Sequence, residues 1–417
     1  MRTSLPEQDV RWNFAAAVID AAGWGVGMSM VSSTTILPLF VRQLTPSPQA
    51  VGLIQAVMLF GWLVPGILVS GRIDRLRRVK MSVLWIAVVE RLALLGMAGL
   101  CFAIPNQRQT VLWGFFGCWL VMNCAMGANM PGYYKLIAKT IPASKRGSLY
   151  GIGGAISGLL GIGSAQFGGY ILERWEYPNG FAACFLLAFF FQSLTVFPLG
   201  MMREPAVEPP ASSAARPRTR ALAVLRADPR LMALVIAVTC FGFNQMIAGF
   251  FTTYGMERFG ATPADVAMYN AVSNGARAVA FLLAGAVADR WGNRSALLLG
   301  SAAGICSGSL AWLSPSPVAL PIVFAFQELA AQAWGVCAMN YVLELCPPSR
   351  SATYTAVFGL FTGPSRAGLP LVAGEIVRLA GYPPIFAIGA IGAVVALLTV
   401  LLRVSEPRHN APQTVEP

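Results

Sequence analysis

Apolar stretches of twenty or more residues follow one another along almost the whole chain, and short polar intervals separate them. A helix of about 20 residues crosses about 30 Å of hydrocarbon, so each stretch is long enough to span a bilayer. Helices also satisfy their backbone polar groups internally, as the hydrocarbon requires. The pattern therefore predicts an all-α polytopic membrane protein with twelve transmembrane helices, at residues 13–40, 49–70, 80–103, 110–134, 147–172, 180–202, 230–256, 264–288, 295–313, 317–343, 352–377 and 383–402.

The longest polar interval, residues 203–229, lies between the sixth and seventh predicted helices. It is rich in proline, alanine and arginine, which predicts a cytoplasmic linker with a short amphipathic helix near Arg218–Arg226. Four pairs of residues recur at one fixed separation on either side of it: Pro48 with Pro263, Val51 with Val266, Val57 with Val272 and Asp74 with Asp289. Such recurrence is typical of a duplicated unit. We predict two pseudo-symmetric six-helix bundles, an N-terminal one at residues 1–202 and a C-terminal one with a short cytoplasmic tail at residues 230–417.

Composition and charge agree with a membrane protein. Hydrophobic residues make up 56% of the chain and charged residues 12%, far outside the usage of soluble domains. The net charge of +12 follows the topology rather than a nucleic-acid surface, because most basic residues fall in alternate loops. If the N-terminus is cytoplasmic, the outer loops hold only Arg42, Arg108, Arg174, Arg258 and Arg378. The positive-inside rule therefore predicts a multi-pass protein of the cytoplasmic membrane with both termini in the cytoplasm.

Cysteine, histidine and lysine usage argues against several kinds of chemistry. Most of the eight cysteines lie within apolar stretches without CxxC spacing, as small buried side chains do. His409, the only histidine, is in the polar tail, so the membrane interior lacks the usual zinc ligand and general base. No lysine follows a glycine, which leaves no phosphate-binding loop. We therefore expect no metal site, no cofactor and no enzymatic activity.

The segment GAVADRWGNR lies between the eighth and ninth predicted helices. It resembles the signature that members of the major facilitator superfamily carry at this place: glycine, three residues, aspartate, a basic residue, any residue, glycine and further basic residues. The matching positions are Gly285, Asp289, Arg290, Gly292 and Arg294. The span count, the internal repeat and the topology extend the resemblance over the whole chain. It implies a transporter fold whose two halves rock about a central site.

A second copy of this signature lies between the second and third predicted helices, in SGRIDRLRRVK. Asp74, Arg75 and Arg78 match it, whereas Ser70 and Arg77 replace its two glycines. In the superfamily these loops help to hold the outward-open arrangement, so the resemblance implies gating for the matching residues of both copies. An aspartate there can accept hydrogen bonds from an arginine or a helix N-terminus of the other half. The alternative is that these charges only anchor the topology.

Charged and amide side chains lie near the middle of several predicted helices of the second half. They are Asn244, Gln245, Arg277, Glu328, Gln332 and Arg366. A charge at the bilayer centre costs roughly 2.5–3.5 kcal/mol on insertion scales, so each needs a partner, water or a function. Two arginines against one glutamate leave one positive charge, which predicts an anionic or zwitterionic organic substrate, with Glu328 as a candidate proton carrier. The alternative is an internal Arg–Glu pair whose second arginine bonds to backbone carbonyls.

The first predicted helix contains one acidic residue inside the membrane. Asp20 lies about two turns into the helix, with Trp24 one turn further on. Asp20 is either a protonatable group coupled to transport or the partner of a cation such as Lys135, near the inner end of the fourth helix.

Other polar groups of the first half lie in the third and fourth predicted helices. Glu90 and Arg91 are deep in the third helix, which in the superfamily packs on the outside of each half, and we interpret them as a structural pair. The superfamily's first, fourth, seventh and tenth helices surround its central cavity. The resemblance therefore makes Asn123 and Asn129, both in the fourth helix, candidate cavity residues.

The residues and the resemblance together predict one function and leave alternatives open. We expect a secondary active transporter that moves a small organic solute by alternating access, coupled to protons and working in export. A facilitative or ion-independent uptake carrier is the first alternative, and a non-transporting membrane sensor on the same fold is the second. The expected partners are the solute, protons and the lipid bilayer, without nucleic acid, and we expect a monomer.

Overall fold

The computed structural model describes residues 6–205, 221–313, 316–345 and 351–405. Over these residues the chain forms α-helices and one short 3-10 turn, Pro317–Ala319, without β-strands. The first half contains α1 Glu7–Met30, α2 Ile36–Leu44, α3 Pro48–Asp74, α4 Lys80–Ala103, α5 Arg108–Thr140, α6 Ala143–Arg174, α7 Asn179–Leu194 and α8 Val196–Met201. The second half contains α9 Ala221–Ala227, α10 Pro229–Gln245, α11 Phe250–Phe259, α12 Pro263–Trp291, α13 Asn293–Leu313, α14 Leu320–Leu345, α15 Ser351–Ala380 and α16 Tyr382–Arg403.

The twelve predicted spans correspond to single helices or to pairs of consecutive helices. The first, sixth and seventh spans are each broken in two, as α1–α2, α7–α8 and α10–α11. In the sixth span the break is at Thr195, because Pro198 has no N–H and its ring clashes with the carbonyl four residues earlier. Ten described segments are long and apolar enough to cross a membrane, and they do not include α1–α2 or α15. The prediction of an all-α polytopic fold is confirmed.

The structure shows a short helix within the predicted linker, while the cytoplasmic placement of the linker stays a prediction. Helix α9 starts at Ala221, three residues after the predicted position of Arg218, and ends at Ala227. Residues 206–220 lie outside the described part of the chain, and Arg218 is among them.

The two halves repeat one packing scheme. Helix α3 packs against α5 as α12 packs against α14, and α4 packs against α7 as α13 packs against α16. The bundles meet at two seams that the same pseudo-symmetry relates. In one seam α3 of the first bundle packs against α15 of the second, and in the other α6 of the first bundle packs against α12 of the second. Two pseudo-symmetric six-helix bundles are therefore confirmed as the architecture, while the exact boundaries at residues 202 and 230 stay predictions.

Small residues let the helices approach closely along both seams. A Cβ added at Gly158 would lie 2.9 Å from the Cβ of Ala278, where α6 meets α12. At the other seam, a Cβ at Gly52 would lie 2.2 Å from the carbonyl oxygen of Pro370 in α15. Membrane helices associate through such close backbone packing because lipid offers no hydrophobic drive between them.

Polar contacts between the bundles gather at one end of the molecule, which we call the closed end. Arg42 forms an ion pair with Glu257 across the bundles there. Three hydrogen bonds join the same end: Gln49 to Glu375 at 2.7 Å, Thr252 to the carbonyl of Thr34 at 2.7 Å, and Asn270 to the carbonyl of Ser29 at 2.8 Å. At the opposite end, where α9 and the signature loops lie, no hydrogen bond or ion pair between two described residues joins the bundles. Among the polar contacts that join two described residues, those between the bundles thus lie at the closed end.

Candidate functional site

An ion pair joins α12 to α14 in the second bundle. Arg277 donates from Nε to Glu328 Oε2 at 3.0 Å and from Nη2 to Oε1 at 2.8 Å. Gln332, one turn further along α14, donates to Glu328 Oε2 at 3.2 Å. Glu328 is buried, whereas the Arg277 side chain is 44% exposed. The carboxylate therefore has a two-pronged guanidinium partner and one amide donor, an arrangement that fixes its orientation.

The other membrane-embedded arginine of this half lies beside a separate cavity. Arg366 of α15 lines it together with Gln245 of α10 and Phe241 and Trp334, whose rings stack with centroids 4.7 Å apart. Arg366 makes no hydrogen bond or ion pair with any residue in the described part of the chain. The Nε2 atom of Gln245 also lacks a hydrogen-bond partner. This wall thus offers a positive charge and an amide group that the described residues leave unused.

The cavity is small. Its volume is about 50 Å³, which is room for a few water molecules or one carboxylate group rather than a whole organic solute. The predicted second-half cluster is therefore divided in two by the tertiary structure, with Arg277, Glu328 and Gln332 in one group and Gln245 and Arg366 in the other.

Asn244 belongs to neither group. It is fully buried and donates from Nδ2 to the carbonyl of Gly304 in α13 at 2.8 Å. Ser307 of α13 donates to Gln327 of α14 at 2.8 Å, and Gln327 donates back to the carbonyl of Asn244 at 3.4 Å. These bonds tie α10, α13 and α14 together inside the second bundle, so Asn244 occupies a helix-packing position away from the cavity.

A buried polar cluster lies inside the first bundle. Arg91 of α4 pairs with Glu90 at 2.7 Å, and Asn129 of α5 donates to the other carboxylate oxygen of Glu90 at 3.1 Å. Asp20 of α1 is also buried in the first bundle, where Arg91 contributes a favourable charge to its carboxylate. Glu90 and Arg91 are therefore the structural pair that the sequence predicts, with a third charged member added.

The alternative pairing of Asp20 with Lys135 is not among the bonds between described residues. Lys135 instead donates to the backbone carbonyls of Ile73 and Leu76, at the end of α3, at 2.9 and 3.2 Å. The cation whose charge acts on Asp20 is Arg91 of the neighbouring α4.

Trp24 and Asn123, the remaining first-half candidates, are not brought together with the cluster. Trp24 is half-buried and packs against the main apolar core. Asn123 is buried where α5 meets α3. A Cβ added at Gly61 of α3 would lie 2.6 Å from the Cβ of Asn123. Its amide donates to the carbonyl of Trp119, one turn earlier in α5, at 2.7 Å. In this arrangement the side chain serves the α3–α5 contact, and a role for Asn123 at the cavity stays a prediction.

The signature loop of the second bundle turns at a left-handed residue. Gly292 has φ of 87° and ψ of 163° and ends α12 directly before α13 begins. A side chain is strongly disfavoured in that conformation, which explains glycine at this position. Gly285 lies within α12 with no atom of another element within 4 Å of an added Cβ. Arg290 stacks over the ring of Trp291, and Asp289 is exposed.

Among the described residues, no hydrogen bond or ion pair joins the two signature loops across the bundles. Arg294 donates to the carbonyl of Leu401 in α16, within its own bundle, at 3.0 Å. In the first copy, Arg75 and Arg78 are exposed, and the side chain of Asp74 lies outside the described part of the chain. The gating role of these residues stays a prediction, for a state in which the two loops approach each other.

Glu204 is a residue of this region that the sequence analysis missed. Its carboxylate accepts hydrogen bonds from the backbone N–H groups of Val79 and Lys80, at 2.8 to 3.0 Å, and an ion pair from Lys139 at 2.9 Å. A carboxylate is stabilised at a helix N-terminus by the free N–H groups and the helix dipole. Glu204 thus fastens the end of the sixth span to the first signature loop. Its proline neighbour and its place just after an apolar run gave no signal of this role.

A family model places the chain among known proteins. The model described as Major Facilitator Superfamily matches residues 19–363 and 245–417. The chain belongs to this superfamily. Family and fold together make it a multi-pass membrane protein, and they indicate a transporter rather than an enzyme.

Solved structures of superfamily members share the fold. The xylose transporter XylE from E. coli, in a partially occluded inward-open conformation, is 16% identical, covers 96% of this chain and 99% of its own, and has a TM-score of 0.70. The nucleoside transporter NupG is 12% identical over 95% of this chain and 100% of its own, with a TM-score of 0.71. A bacterial homologue of the human lysosomal transporter Spinster is 15% identical over 95% of each chain, with a TM-score of 0.65. At these identities the likeness concerns the fold.

One curated relative is similar in sequence over part of its length. The tetracenomycin C resistance and export protein of Streptomyces glaucescens is 24% identical over 192 residues. The match spans 45% of this chain and 35% of that protein, so it covers only about a third of the relative.

Two glycines of the superfamily signature should respond oppositely to alanine. Gly292→Ala forces a side chain into a disfavoured backbone region, and we expect it to destabilise the protein by about 1–3 kcal/mol. Gly285→Ala is the matched control, because alanine there meets open space within a helix and should be neutral or slightly stabilising. Thermal unfolding of both variants in detergent, followed by tryptophan fluorescence, measures the difference. Equal midpoints for the two variants would contradict the assigned turn.

Proposed function

We propose that this chain is a secondary active carrier that moves a small anionic or zwitterionic organic solute by alternating access, with coupling to protons. The observation that carries the proposal is Arg366, a membrane-embedded cation at a cavity wall without a partner among the described residues. A charge at membrane depth is costly enough that an unused one needs a ligand. A solute carboxylate, phosphate or phenolate supplies the missing negative charge.

The bonding around Glu328 supports its role as the proton carrier. Both carboxylate oxygens are engaged by Arg277, and Gln332 adds a third bond. A proton on Glu328 would cancel its attraction for Arg277 and release that arginine, whose side chain is already 44% exposed. Protonation of Glu328 would then make Arg277 available to the solute as a second cation beside Arg366. Such a link between proton binding and solute binding is what coupling requires.

The closed end supports alternating access with the cavity open to the cytoplasm. All polar contacts between bundles that join two described residues lie at that end. With both termini in the cytoplasm, as the distribution of basic residues predicts, the closed end faces outward. We place the protein in the cytoplasmic membrane and propose export as the direction, for which the export protein of Streptomyces glaucescens is the support.

A facilitative carrier is the second candidate. The complete bonding of the Arg277–Glu328–Gln332 group favours it, because a carboxylate so well satisfied also serves as a fixed structural pair. The two candidates differ in one respect, which is the response of solute flux to an imposed pH gradient.

Replacing Arg366 with glutamine should weaken solute binding strongly. Loss of a hydrogen bond to a charged group removes roughly 1.5–3 kcal/mol, or about 10- to 150-fold in affinity. The measurement is uptake into proteoliposomes with and without a pH gradient, using radiolabelled benzoate, glutamate and tetracenomycin C as probes of anionic, zwitterionic and phenolic chemistry. Arg174→Gln, at the exposed end of α6, is the matched control and should transport like the wild type. Wild-type transport by Arg366→Gln of whichever probe the carrier accepts would contradict the anion site.

A further inference from the structure

The cavity beside Arg366 offers one kind of charge to a ligand. Arg366 and Gln245 are the polar members of its described lining, and the other lining residues are apolar or glycine. A guanidinium donates hydrogen bonds and accepts none. We propose that the solute is a hydrophobic monocarboxylate without an ammonium group, which binds with its carboxylate against Arg366. This inference rests on the proposed function and narrows its substrate class, because it sets aside zwitterions and solutes with more than one negative charge.

The charge of Arg366 fixes the charge of the ligand. Within the part of the chain that the structure describes, Arg366 forms no ion pair or hydrogen bond. One positive charge at membrane depth is balanced by one negative charge, and each further charge on the solute needs a partner of its own. A dianion would leave one charge without a partner in the described lining, and a cation would be repelled. A monoanion is therefore the ligand whose charge this cavity balances.

The acids on the three helices that line the cavity stand away from it. Helix α10 contains none. Those of α14 and α15 lie five or more residues from any lining residue, which is about 7 Å or more along a helix axis: Glu328, Glu344 and Glu375. In an α-amino acid a single carbon separates the ammonium from the carboxylate, so an ammonium bound here would lie beside Arg366 and out of reach of these acids. Because like charges repel at that distance, the cavity disfavours zwitterionic amino acids.

Gln245 adds a second donor to the same wall. Its Nε2 atom is buried without a hydrogen-bond partner, and buried polar atoms are rarely left unpaired. A carboxylate has two oxygens that accept hydrogen bonds, so Arg366 and Gln245 can each donate to the same group. An ammonium only donates and would use neither of these donors. The lining thus matches the hydrogen-bonding chemistry of a carboxylate as well as its charge.

The rest of the lining suits an apolar body. Phe241 and Trp334 stack with an angle of 15° between their planes, and the buried ring of Phe358 faces the same space. The cavity volume of about 50 Å³ admits the carboxylate alone, so the body of the solute lies where the lining is exposed, beside Met339. Met339 is 39% exposed, and its flexible thioether side chain adapts to apolar surfaces of different shapes. Contact with these side chains removes apolar surface from water, which favours a hydrophobic body over a polar one.

A matched series of four ligands tests the charge type, by isothermal titration calorimetry of the full chain in lipid nanodiscs. Phenylpropanoate and phenylalanine differ only by the ammonium group, phenethylamine carries the ammonium alone, and phenylpropanol carries no charge. We expect phenylpropanoate to bind at least about 10-fold more tightly than each of the other three, which lack the charged hydrogen bond or add an unpaired charge. Equal or tighter binding of phenylalanine, or no measurable binding of phenylpropanoate, overturns the proposal.

Two variants of the lining assign this preference to the cavity. Arg366→Gln should abolish the preference for phenylpropanoate, and Gln245→Glu should weaken phenylpropanoate binding by about 10- to 150-fold, because the new carboxylate neutralises Arg366. Gln43→Glu, which adds the same acid at an exposed position of the closed end, is the matched control and should keep the wild-type preference.

Size-exclusion profiles identify the variants that fold, and the ligand series on the wild type decides the charge type even if neither lining variant does. An unchanged preference in a folded lining variant overturns the proposal. Equal binding of phenylpropanoate and phenylalanine with transport of both would remove this inference and leave the proposed carrier standing. The expected preference without any transport would instead count against the proposed function alone.

Discussion

Replacing Gly52 with leucine should hold the closed end open and reduce transport by roughly 5- to 150-fold. The position lies on the α3–α15 seam, where an added Cβ would stand 2.2 Å from the carbonyl oxygen of Pro370. A backbone atom cannot rotate away, so the bundles must separate. An overpacking penalty of roughly 1–3 kcal/mol that acts on one state alone shifts a two-state equilibrium by about 5- to 150-fold. A carrier that must close this end in every cycle then loses turnover.

Pulsed electron paramagnetic resonance measures the predicted opening. Labels at Gln43 and Arg258, exposed positions on the two bundles at the closed end, should lie farther apart in Gly52→Leu than in a wild-type background. Gly163→Leu is the matched control, since an added Cβ there meets nothing within 4 Å. Unchanged distances together with normal transport in Gly52→Leu would show that the seam is not a moving contact.

Breaking the Arg277–Glu328 pair should separate its structural role from its role in coupling. Arg277→Met leaves buried Glu328 without its cation, and we expect a loss of about 3 kcal/mol, the lower end of values for buried pairs. Glu328→Gln should cost less, about 1 kcal/mol, because the Arg277 side chain is 44% exposed rather than enclosed by other side chains. The double variant should recover most of the stability. All three variants should lose the stimulation of flux by a pH gradient.

Thermal unfolding and flux measurements on the four proteins complete this cycle. The exposed pair of Arg11 and Glu7 is a suitable comparison, since Arg11→Met should leave the unfolding midpoint close to that of the wild type. A stable double variant that still responds fully to the pH gradient would assign the pair to structure and remove Glu328 from the coupling mechanism. Recovery of stability with loss of that response is the result we expect.

The elements that follow from local pattern were predictable. Span number and duplication depend on hydropathy and recurrence, which are properties of the chain alone. The turn at Gly292 is likewise local, because its left-handed backbone favours glycine whatever packs around it. The helix breaks near residues 31–35 and 246–249 were not predicted, because apolar residues continue through both of them. Tertiary contacts decide where such a helix is interrupted.

The sequence by itself determined that charged groups lie at membrane depth and that arginines outnumber acids in the second half. Only the tertiary structure decided their pairing, giving Glu328 to Arg277, leaving Arg366 at a cavity, and bringing Asp20 to Arg91 rather than to Lys135. The physical reason is that hydropathy sums over neighbours along the chain, whereas an ion pair depends on which faces of distant helices meet. Helix rotation sets those faces, and it results from the packing of the whole bundle.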